Sequence, residues 1–273
     1  MGNLPDNDKT RSELYRLTEL KMIRIEFLGT GTSTGVPQVN CSCEVCSSAD
    51  VRDKRLRASV LVTVDQCNIL IDCGPDFRCQ ALRSHIARID ALLVTHSHYD
   101  HCGGLDDLRP YCIEKPLPIY AEQSVIDDIK ARIPYCFKEH LYPGVPRFEM
   151  RPINPYVPFR VGQVEIMPLQ VMHYKLPIMG FRIGDVAYIT DCLTLPEATI
   201  RQLEGLDVLV INALRRTPHL SHQSLDEALA LIERLSPRRA YLTHMSHQMG
   251  RHSDVSTLLP PNVAFAYDTM TVE

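Results

Sequence analysis

Short stretches of alternating apolar and polar residues recur along the chain, and helical stretches separate several of them. Residues 22–29 (MIRIEFLG) alternate with a period of two, which predicts a strand. Residues 58–65 and 67–72 repeat this alternation across a one-residue gap and predict an antiparallel hairpin. The apolar run at 90–95 predicts a buried strand, and residues 77–89 before it have helical character.

The second half of the chain has a similar succession of strand-like and helical stretches, but its sequence differs from that of the first half. Successive strand-like stretches occupy residues 147–191, and residues 206–213 form an apolar run typical of a buried strand. Residues 224–235 predict an amphipathic helix that begins at Ser224, a good N-cap residue. The Pro-rich residues 142–158 are the best candidate for a long connection between the halves. An α/β fold follows, with two β-sheets packed face to face and helices outside.

Length and composition are those of a globular protein. The chain has 273 residues, of which 45% are hydrophobic and 23% charged, and the net charge is −4. This charge does not favour a protein that coats nucleic acid, and no stretch approaches the ~18 apolar residues that span a membrane. We expect a cytoplasmic protein with one domain at residues 22–273. Residues 1–21 are interpreted as an N-terminal extension, disordered or added for expression, with a short amphipathic helix as the alternative.

Four side chains that can bind metal follow the apolar run at 90–95. The sequence THSHYDH places His96, His98, Asp100 and His101 within six positions at the end of a predicted strand. Neutral imidazoles and carboxylates suit Zn²⁺ or Mn²⁺. A surface loop that happens to contain histidines is the alternative. Four ligands cannot complete two metal sites, so the hypothesis requires further ligands at other strand ends.

Three such residues occur downstream. His173, Asp191 and His244 each lie where an apolar strand is predicted to end. Each alone would more often be structural, but together with the first cluster they fill two coordination spheres. The sequence therefore predicts a dinuclear hydrolytic site, in which the two cations activate a water molecule.

A second group of candidate ligands is the cysteine cluster NCSCEVC. Cys41, Cys43 and Cys46 have C-x-C-x₂-C spacing, and a closed tetrahedral zinc site needs a fourth ligand. His247, three residues after His244, is the candidate for that position. We predict a structural zinc at these four residues, with three reduced loop thiols as the alternative.

The motif H-x-H-x-D-H, the upstream ILIDCG and the order of the later ligands resemble the metallo-β-lactamase fold superfamily. The resemblance covers nearly all of residues 22–273 and implies a four-layer αββα sandwich of two mixed sheets. It also implies that Asp72 positions the histidine loop through hydrogen bonds, although a turn-forming aspartate is the alternative. The same resemblance implies two catalytic cations, zinc or manganese. The first would be bound by His96, His98 and His173, and the second by Asp100, His101 and His244. Asp191 would lie between them.

The cysteine loop, GTGTSTGVP and THMSHQ together resemble one branch of this superfamily. That branch comprises the phosphodiesterases of the carbon–phosphorus lyase pathway, which open phosphoribosyl 1,2-cyclic phosphate. The resemblance implies a small phosphodiester substrate, a homodimer, and a histidine near the leaving group at His222. A lone histidine in a polar loop is the alternative for His222. The pyrroloquinoline-quinone biosynthesis protein has a similar cysteine loop, so the loop does not decide the substrate.

Two basic residues are candidates for binding a substrate phosphate. Arg215 follows a predicted strand and could donate paired N–H bonds, and Lys175 follows His173. A solvated charge is the alternative for Arg215. Asp100 is also a candidate proton acceptor in the reaction.

Three other function classes fit these residues less well. The loop GTGTSTG fails the G-x-G-x-x-G spacing, which argues against a nicotinamide enzyme. A transfer-RNA 3′-end processing ribonuclease is the main enzymatic alternative, although no Gly/Lys-rich arm separates His173 from Asp191, and nucleic acid is not an expected partner. A non-catalytic protein of cofactor biosynthesis is the other alternative.

Overall fold

The alternating residues at the start of the fold form the first of fourteen strands in the computed structural model, which describes residues 22–273. The expectation for residues 1–21 lies outside the described residues. The strands of the first sheet follow in the spatial order β14 (Thr271–Val272), β1 (Ile23–Gly29), β2 (Ser59–Val64), β3 (Cys67–Ile71), β4 (Ala91–Leu93), β5 (Leu117–Ala121) and β6 (Phe148–Pro152). The predicted hairpin is confirmed, because β2 and β3 are antiparallel with Val64 opposite Cys67.

The second sheet also has seven strands. Their spatial order is β13 (Val263–Phe265), β12 (Arg239–Thr243), β11 (Val208–Asn212), β10 (Val186–Ile189), β9 (Leu176–Ile183), β8 (Val164–His173) and β7 (Phe159–Val161). Each sheet combines three antiparallel pairings with three parallel ones, so both are mixed. The chain crosses from the first sheet to the second between β6 and β7. The connection predicted at 142–158 is therefore interrupted by β6.

The two sheets pack face to face, and helices cover their outer faces. In β2, Val60 and Val62 belong to the core between the sheets, whereas Leu61 belongs to the core beneath the helices. In β11, Val210 faces the other sheet and Leu209 faces the helices. Strands buried on both faces are expected to be continuously apolar. The predicted four-layer αββα sandwich is confirmed.

Six α-helices and five 3₁₀ helices complete the described part of the chain. The α-helices are α1 (Phe77–Arg83), α2 (Tyr99–Cys102), α3 (Gln123–Arg132), α4 (Glu197–Gln202), α5 (Leu225–Leu235) and α6 (His252–Val255). The 3₁₀ helices are Val51–Asp53, Leu105–Cys112, Pro134–Phe137, His247–Met249 and Ser256–Leu258. Ser224 caps α5 as predicted, and Glu227 completes a capping box. The helix expected at 77–89 ends early, because His85 adopts a left-handed backbone (φ 49°) that an α-helix cannot contain.

Residues 22–273 contain no helix that is both long and apolar enough to cross a membrane.

Candidate metal centre

The histidine loop, residues 95–101, begins two residues after the end of β4 and continues into the short helix α2. The backbone N–H of Thr95 donates to the Asp72 carboxylate, which fixes the loop where the strand ends. His98 lies at the N-cap of α2, while Asp100 and His101 lie within the helix. The centroid of the His96 ring lies 4.5 Å from that of the His98 ring and 4.3 Å from that of the His101 ring. A strand end followed by one helical turn therefore gathers all four predicted side chains.

The three downstream candidates also lie at strand ends. His173 is the last residue of β8, Asp191 lies two residues beyond β10, and His244 lies one residue beyond β12. The backbone is left-handed at Asp191 (φ 54°) and at His244 (φ 56°). Such conformations cost free energy outside glycine and concentrate at functional sites. The chain thus bends abruptly at both positions as it leaves its strand.

Four of the predicted ligands converge on one small volume. The ligand atoms of Asp100, His101, Asp191 and His244 all lie within 4.8 Å of one another. Oδ1 of Asp191 lies 3.1 Å from Nε2 of His244 and 3.3 Å from Nε2 of His101. All four residues are buried. This arrangement brings together the set that the resemblance implied for the second cation.

The other carboxylate oxygen of Asp191 faces a second group of imidazoles. His96 and His98 form one close set with Asp191, and His173 forms another with Asp191 and His222. The rings of His98 and His173 are 5.3 Å apart. The implied ligands of the first cation therefore surround the same carboxylate, and His222 joins them from the side of His173.

Orphaned polar atoms in this centre fit a site for a cation. Nε2 of His101 and both ring nitrogens of His244 are buried without a hydrogen-bond partner among residues 22–273. Buried polar atoms normally have partners, so each orphan needs an explanation. Carboxylate oxygens of Asp100 and Asp191 face the same space, 3.1 and 3.3 Å from Nε2 of His101. Imidazole nitrogens and carboxylates around a shared gap fit Zn²⁺ or Mn²⁺.

Burial sets the charge of most imidazoles in this centre. It lowers the pKa of His96 well below the ordinary histidine value, and it also lowers the pKa of His98 and of His173. Neutral imidazole is the form that binds metal. Burial also lowers the pKa of His101, but the nearby carboxylates of Asp191 and others outweigh it, so that this pKa lies well above the ordinary range. A bound cation would replace the proton that those carboxylates otherwise attract.

Asp72 holds the ring of His101 from behind. Its Oδ2 lies 2.7 Å from Nδ1 of His101 and 2.9 Å from the Thr95 hydroxyl, and its side chain is fully buried. Burial raises the pKa of the Asp72 carboxyl, and His101 lowers it in part. Because Nδ1 donates to Asp72, Nε2 is the nitrogen that would offer its lone pair to a bound cation. This contact matches the positioning role that the resemblance implied.

The four residues of the cysteine cluster also converge. Nδ1 of His247 lies 3.2, 3.4 and 3.5 Å from the sulfurs of Cys41, Cys43 and Cys46. The backbone N–H of Cys46 helps to lower the pKa of Cys43 to about 6, whereas burial raises that of Cys46 to about 11. Three neighbouring sulfurs cannot all ionise without a compensating positive charge. Three sulfurs and one imidazole nitrogen at this spacing fit a tetrahedral structural zinc.

A buried ion pair joins the segment after the cysteine cluster to the C-terminal part of the fold. Arg55 and Asp53 are both about 1% exposed and lie 3.2 Å apart. Arg55 also donates to the carbonyls of Ser246 and Gly250, and Asp53 accepts from the N–H of His252. Asp53 and Arg55 lie in the sequence VRDKR, which resembles a charged surface stretch, so the sequence did not predict that this pair is buried.

His222 lies between the metal centre and a polar loop. Its Nε2 is 3.2 Å from Oδ2 of Asp191, and its Nδ1 is 3.0 Å from the Ser221 hydroxyl and 3.3 Å from Nδ1 of His219. Burial lowers the pKa of His222. Sequence reasoning missed His219 and Ser221, although the clustered letters HLSHQ were a visible signal. The structure thus places His222 beside the proposed ligands.

The two candidate phosphate-binding residues have other contacts. The Arg215 guanidinium donates to the carbonyls of Thr217 and Pro218 and to the side chain of Gln248. Nζ of Lys175 lies 5.3 Å from the centroid of the Tyr174 ring. Arg215 therefore braces the loop that leads to His222, and Lys175 is exposed in the turn between His173 and Leu176.

Comparison with known proteins gives one family and several relatives. The family described as "Beta-lactamase superfamily domain" matches residues 67–245. The chain is 37% identical to a solved structure described as a new diphosphatase from the PhnP family, covering 92% of this chain and 98% of that one (TM-score 0.86). Zn²⁺-bound PqqB from Methylobacterium extorquens has the same fold at 19% identity, covering 92% of this chain and 99% of that one (TM-score 0.76).

A curated relative from Porphyromonas gingivalis (strain ATCC BAA-308 / W83), named octanoyltransferase, is 44% identical over 248 residues. The match covers 90% of this chain and 50% of that protein. The chain spans about half the length of the curated relatives that it matches first.

Proposed function

The chain belongs to the beta-lactamase superfamily, and we propose that it is a metal-dependent phosphodiesterase that hydrolyses a small cyclic phosphodiester of the phosphoribosyl type. One observation carries this proposal: five histidines and two aspartates from four strand ends converge, and the Asp191 carboxylate lies between the two groups of imidazoles. The 37% identity to a PhnP-family diphosphatase over nearly the whole chain supports phosphorus–oxygen chemistry.

We propose two divalent cations, zinc or manganese, at the centre and one structural zinc at the cysteine cluster. The two cations would lower the pKa of a shared water toward ~7 and polarise the phosphoryl group. The chain's own residues then decide the geometry. Asp72 fixes the tautomer of His101, and Asp191 presents one oxygen to each group of imidazoles.

Proton transfers would fall to two side chains of this centre. Asp100 lies 3.1 Å from His101 and 3.6 Å from His244, so its carboxylate can orient the attacking water and accept its proton. Burial lowers the pKa of His222, but its contact with the Asp191 carboxylate favours the protonated ring, which can donate a proton to the leaving alkoxide. Ser221 and His219 contact its other ring nitrogen and hold its orientation.

Lys175 and Arg215 are proposed to bind the phosphate that remains on the sugar. Lys175 is exposed and lies two residues after His173 in sequence. Arg215 would exchange its bond with Gln248 for a phosphate oxygen. Arg215→Ala should therefore raise KM for a phosphorylated substrate much more than KM for bis(p-nitrophenyl) phosphate, and equal effects would remove this role.

The name octanoyltransferase is not carried over to this chain. Half of that relative lies outside the match, and the proposed ligands offer a reason for hydrolysis rather than for acyl transfer. We also propose a cytoplasmic homodimer. None of the ten cysteines, which all lie within residues 22–273, forms a disulfide, as is typical of a reducing compartment, and light scattering would test the dimer.

A substrate panel tests the proposed function. The metal-loaded protein is assayed with phosphoribosyl 1,2-cyclic phosphate, bis(p-nitrophenyl) phosphate, a precursor tRNA and an octanoyl thioester. We expect turnover of the cyclic phosphodiester, with kcat reduced about 10²- to 10⁴-fold in His222→Gln at unchanged metal content. Preference for the precursor tRNA would indicate a nuclease. A metal-replete protein that is inert toward every phosphodiester would indicate the non-catalytic alternative.

A further inference from the structure

Strand β11 lies between the two strands that lead to Asp191 and His244, yet it carries no proposed ligand. It is parallel to β10 on one side and to β12 on the other, so all three strands end at the same edge of the second sheet. The last residue of β11, Asn212, is fully buried at this edge. A buried amide needs hydrogen-bond partners, and the partners of this one indicate what it does.

The side chain of Asn212 holds the backbone directly after Asp191. Its Oδ1 accepts from the N–H of Cys192 over 2.7 Å, and its Nδ2 donates to the carbonyl of Cys192 over 3.0 Å. The backbone pairing of β10 with β11 ends at Ile189 and Ile211, so the amide takes over where the ladder stops. Two bonds in opposite directions fix both the position and the rotation of the segment that leaves the turn.

The turn at Asp191 needs such support. Its left-handed backbone costs free energy and persists only where several contacts determine it. The carbonyl of Asp191 accepts from Nδ1 of His173 over 2.9 Å, and the Thr190 hydroxyl donates to its Oδ1 over 2.7 Å. These two contacts hold the residue itself, whereas Asn212 determines the direction in which the chain continues.

The carbonyl of Cys192 has a second donor. The N–H of Gln223 donates to it over 2.9 Å, and Gln223 directly follows His222 in sequence. The Asn212 amide and the Gln223 backbone therefore meet at one buried peptide group. This contact ties the turn at Asp191 to the loop that carries His222.

The residue after Asn212 reaches a third turn. The N–H of Ala213 donates to the carbonyl of Thr243 over 3.0 Å, and Thr243 directly precedes His244. Asn212 itself is paired with Thr243 in the parallel ladder. The turns at Asp191 and His244 are thus held by the same short segment, which explains why a buried polar residue ends the otherwise apolar strand VLVIN.

On these grounds we infer that Asn212 is a positioning residue of the metal centre, which sets the place of the Asp191 carboxylate between the two groups of imidazoles. It acts through the backbone of Cys192. The inference rests on the cation-binding centre of the proposed function and is independent of the substrate. Because Asp191 faces both groups, loss of this support should weaken both cations. Loss of a residue that holds one imidazole, such as Asp72, should weaken one.

Asn212→Leu tests this role, because leucine is of similar size and removes both bonds to Cys192. Residues that orient metal ligands typically contribute 10- to 100-fold in affinity, so both dissociation constants of the centre for Zn²⁺ should rise by about 10- to 100-fold. Competition against a chromogenic chelator measures these constants in the full-length protein. The zinc proposed at the cysteine cluster should stay bound, and elemental analysis after dialysis would show it.

Two further variants at this position separate the individual bonds. Asn212→Ala also removes both, but it leaves room for a water molecule and so tests the inference if leucine is not accommodated; its affinity should fall as well. Asn212→Asp keeps the oxygen that accepts from the Cys192 N–H, and the Cys192 carbonyl retains its bond from Gln223. It should recover much of the affinity that the leucine variant loses.

A spectroscopic readout separates positioning from general stability. With Mn²⁺ as the probe, wild type should give the electron paramagnetic resonance signal of two spin-coupled ions, because Asp191 presents one oxygen to each group of imidazoles. At equal loading, Asn212→Leu should give more of the signal of isolated Mn²⁺. Gln80→Leu is the matched control, since Gln80 is also a fully buried amide that donates to a backbone carbonyl, that of Arg57. It should behave as wild type in both measurements.

Unchanged dissociation constants in Asn212→Leu, or a loss confined to one cation, would overturn the inference while cation binding by wild type upholds the centre. An equal loss in Gln80→Leu, or release of the zinc at the cysteine cluster, would assign the effect to general destabilisation and would also overturn it. Cation binding that depends on Asn212, in a protein inert toward every phosphodiester, would uphold the inference and remove the proposed activity.

Discussion

Replacing Asp72 by asparagine should weaken cation binding at the centre without unfolding the protein. The backbone at Asp72 is left-handed (φ 63°), a conformation that asparagine adopts more readily than most residues. Asparagine also keeps an oxygen that can accept from the Thr95 N–H, which now donates to Oδ1 over 2.8 Å. The change is therefore concentrated at Oδ2, the oxygen that accepts from His101.

The amide that replaces Oδ2 reverses the polarity of this contact. It would donate to Nδ1 of His101, so the ring proton would move to Nε2 and occupy the lone pair that faces the centre. A hydrogen bond to a charged group contributes ~1.5–3 kcal/mol. Residues that orient metal ligands typically contribute 10- to 100-fold in affinity, or ~1.4–2.7 kcal/mol. Both magnitudes predict that the dissociation constant of the cation that His101 would hold rises by about 10- to 100-fold.

Competition against a chromogenic chelator measures this constant, and thermal unfolding followed by circular dichroism reports the fold. Asp268→Asn is the matched control. Asp268 is also a buried carboxylate that accepts from a threonine N–H and hydroxyl, those of Thr30, but it contacts no proposed ligand. An Asp72→Asn affinity within twofold of wild type, or an equal loss in Asp268→Asn, would refute the assigned role.

Three further predictions follow from particular contacts. Cys43→Ser should remove about one zinc equivalent per chain in elemental analysis and leave the cations of the centre in place; loss of all metal would contradict separate sites. Gly74→Ala should disturb Asp100, because the added Cβ would lie 2.1 Å from the Asp100 carbonyl oxygen, and metal content together with urea unfolding would show a loss of both affinity and stability. Burial raises the pKa of Asp268 from 3.8 to about 6, so its contribution to stability is complete below about pH 4 and is lost as the pH rises through 6. The free energy of unfolding of wild type relative to Asp268→Asn should thus fall by about 3 kcal/mol between about pH 4 and 7, and a pH-independent difference would contradict the raised pKa.

Hydrophobic periodicity predicted many of the strands, because several of them, such as β3 and β10, end where apolar residues give way to polar ones. It also located His173, Asp191 and His244, since each lies within two residues of an apolar stretch. The early end of α1 was not predictable, because residues compatible with a helix continue after Arg83, whereas the backbone is left-handed at His85.

Contacts that depend on distant parts of the chain gave no local signal. The ion pair between Asp53 and Arg55 is buried by segments near residue 250, which are about 195 positions away in sequence. The sequence likewise does not predict the left-handed backbone at Asp191 and His244, because both residues are compatible with an ordinary strand end. Short motifs therefore indicated the candidate metal ligands, while the long-range contacts that hold them in place required coordinates.

The long separation in sequence between the first proposed ligands and His244 and His247 constrains how the protein matures. Strand β14 pairs with β1, and Met245, next to His244, exchanges backbone hydrogen bonds with Thr30 and Thr32, so late residues return to the first part of the fold. A nascent chain on the ribosome lacks one proposed ligand of the centre and one of the cysteine cluster until residues 244 and 247 have emerged. Neither site could therefore be completed before residue 247 is made, and a product truncated before residue 244 would lack a ligand at both.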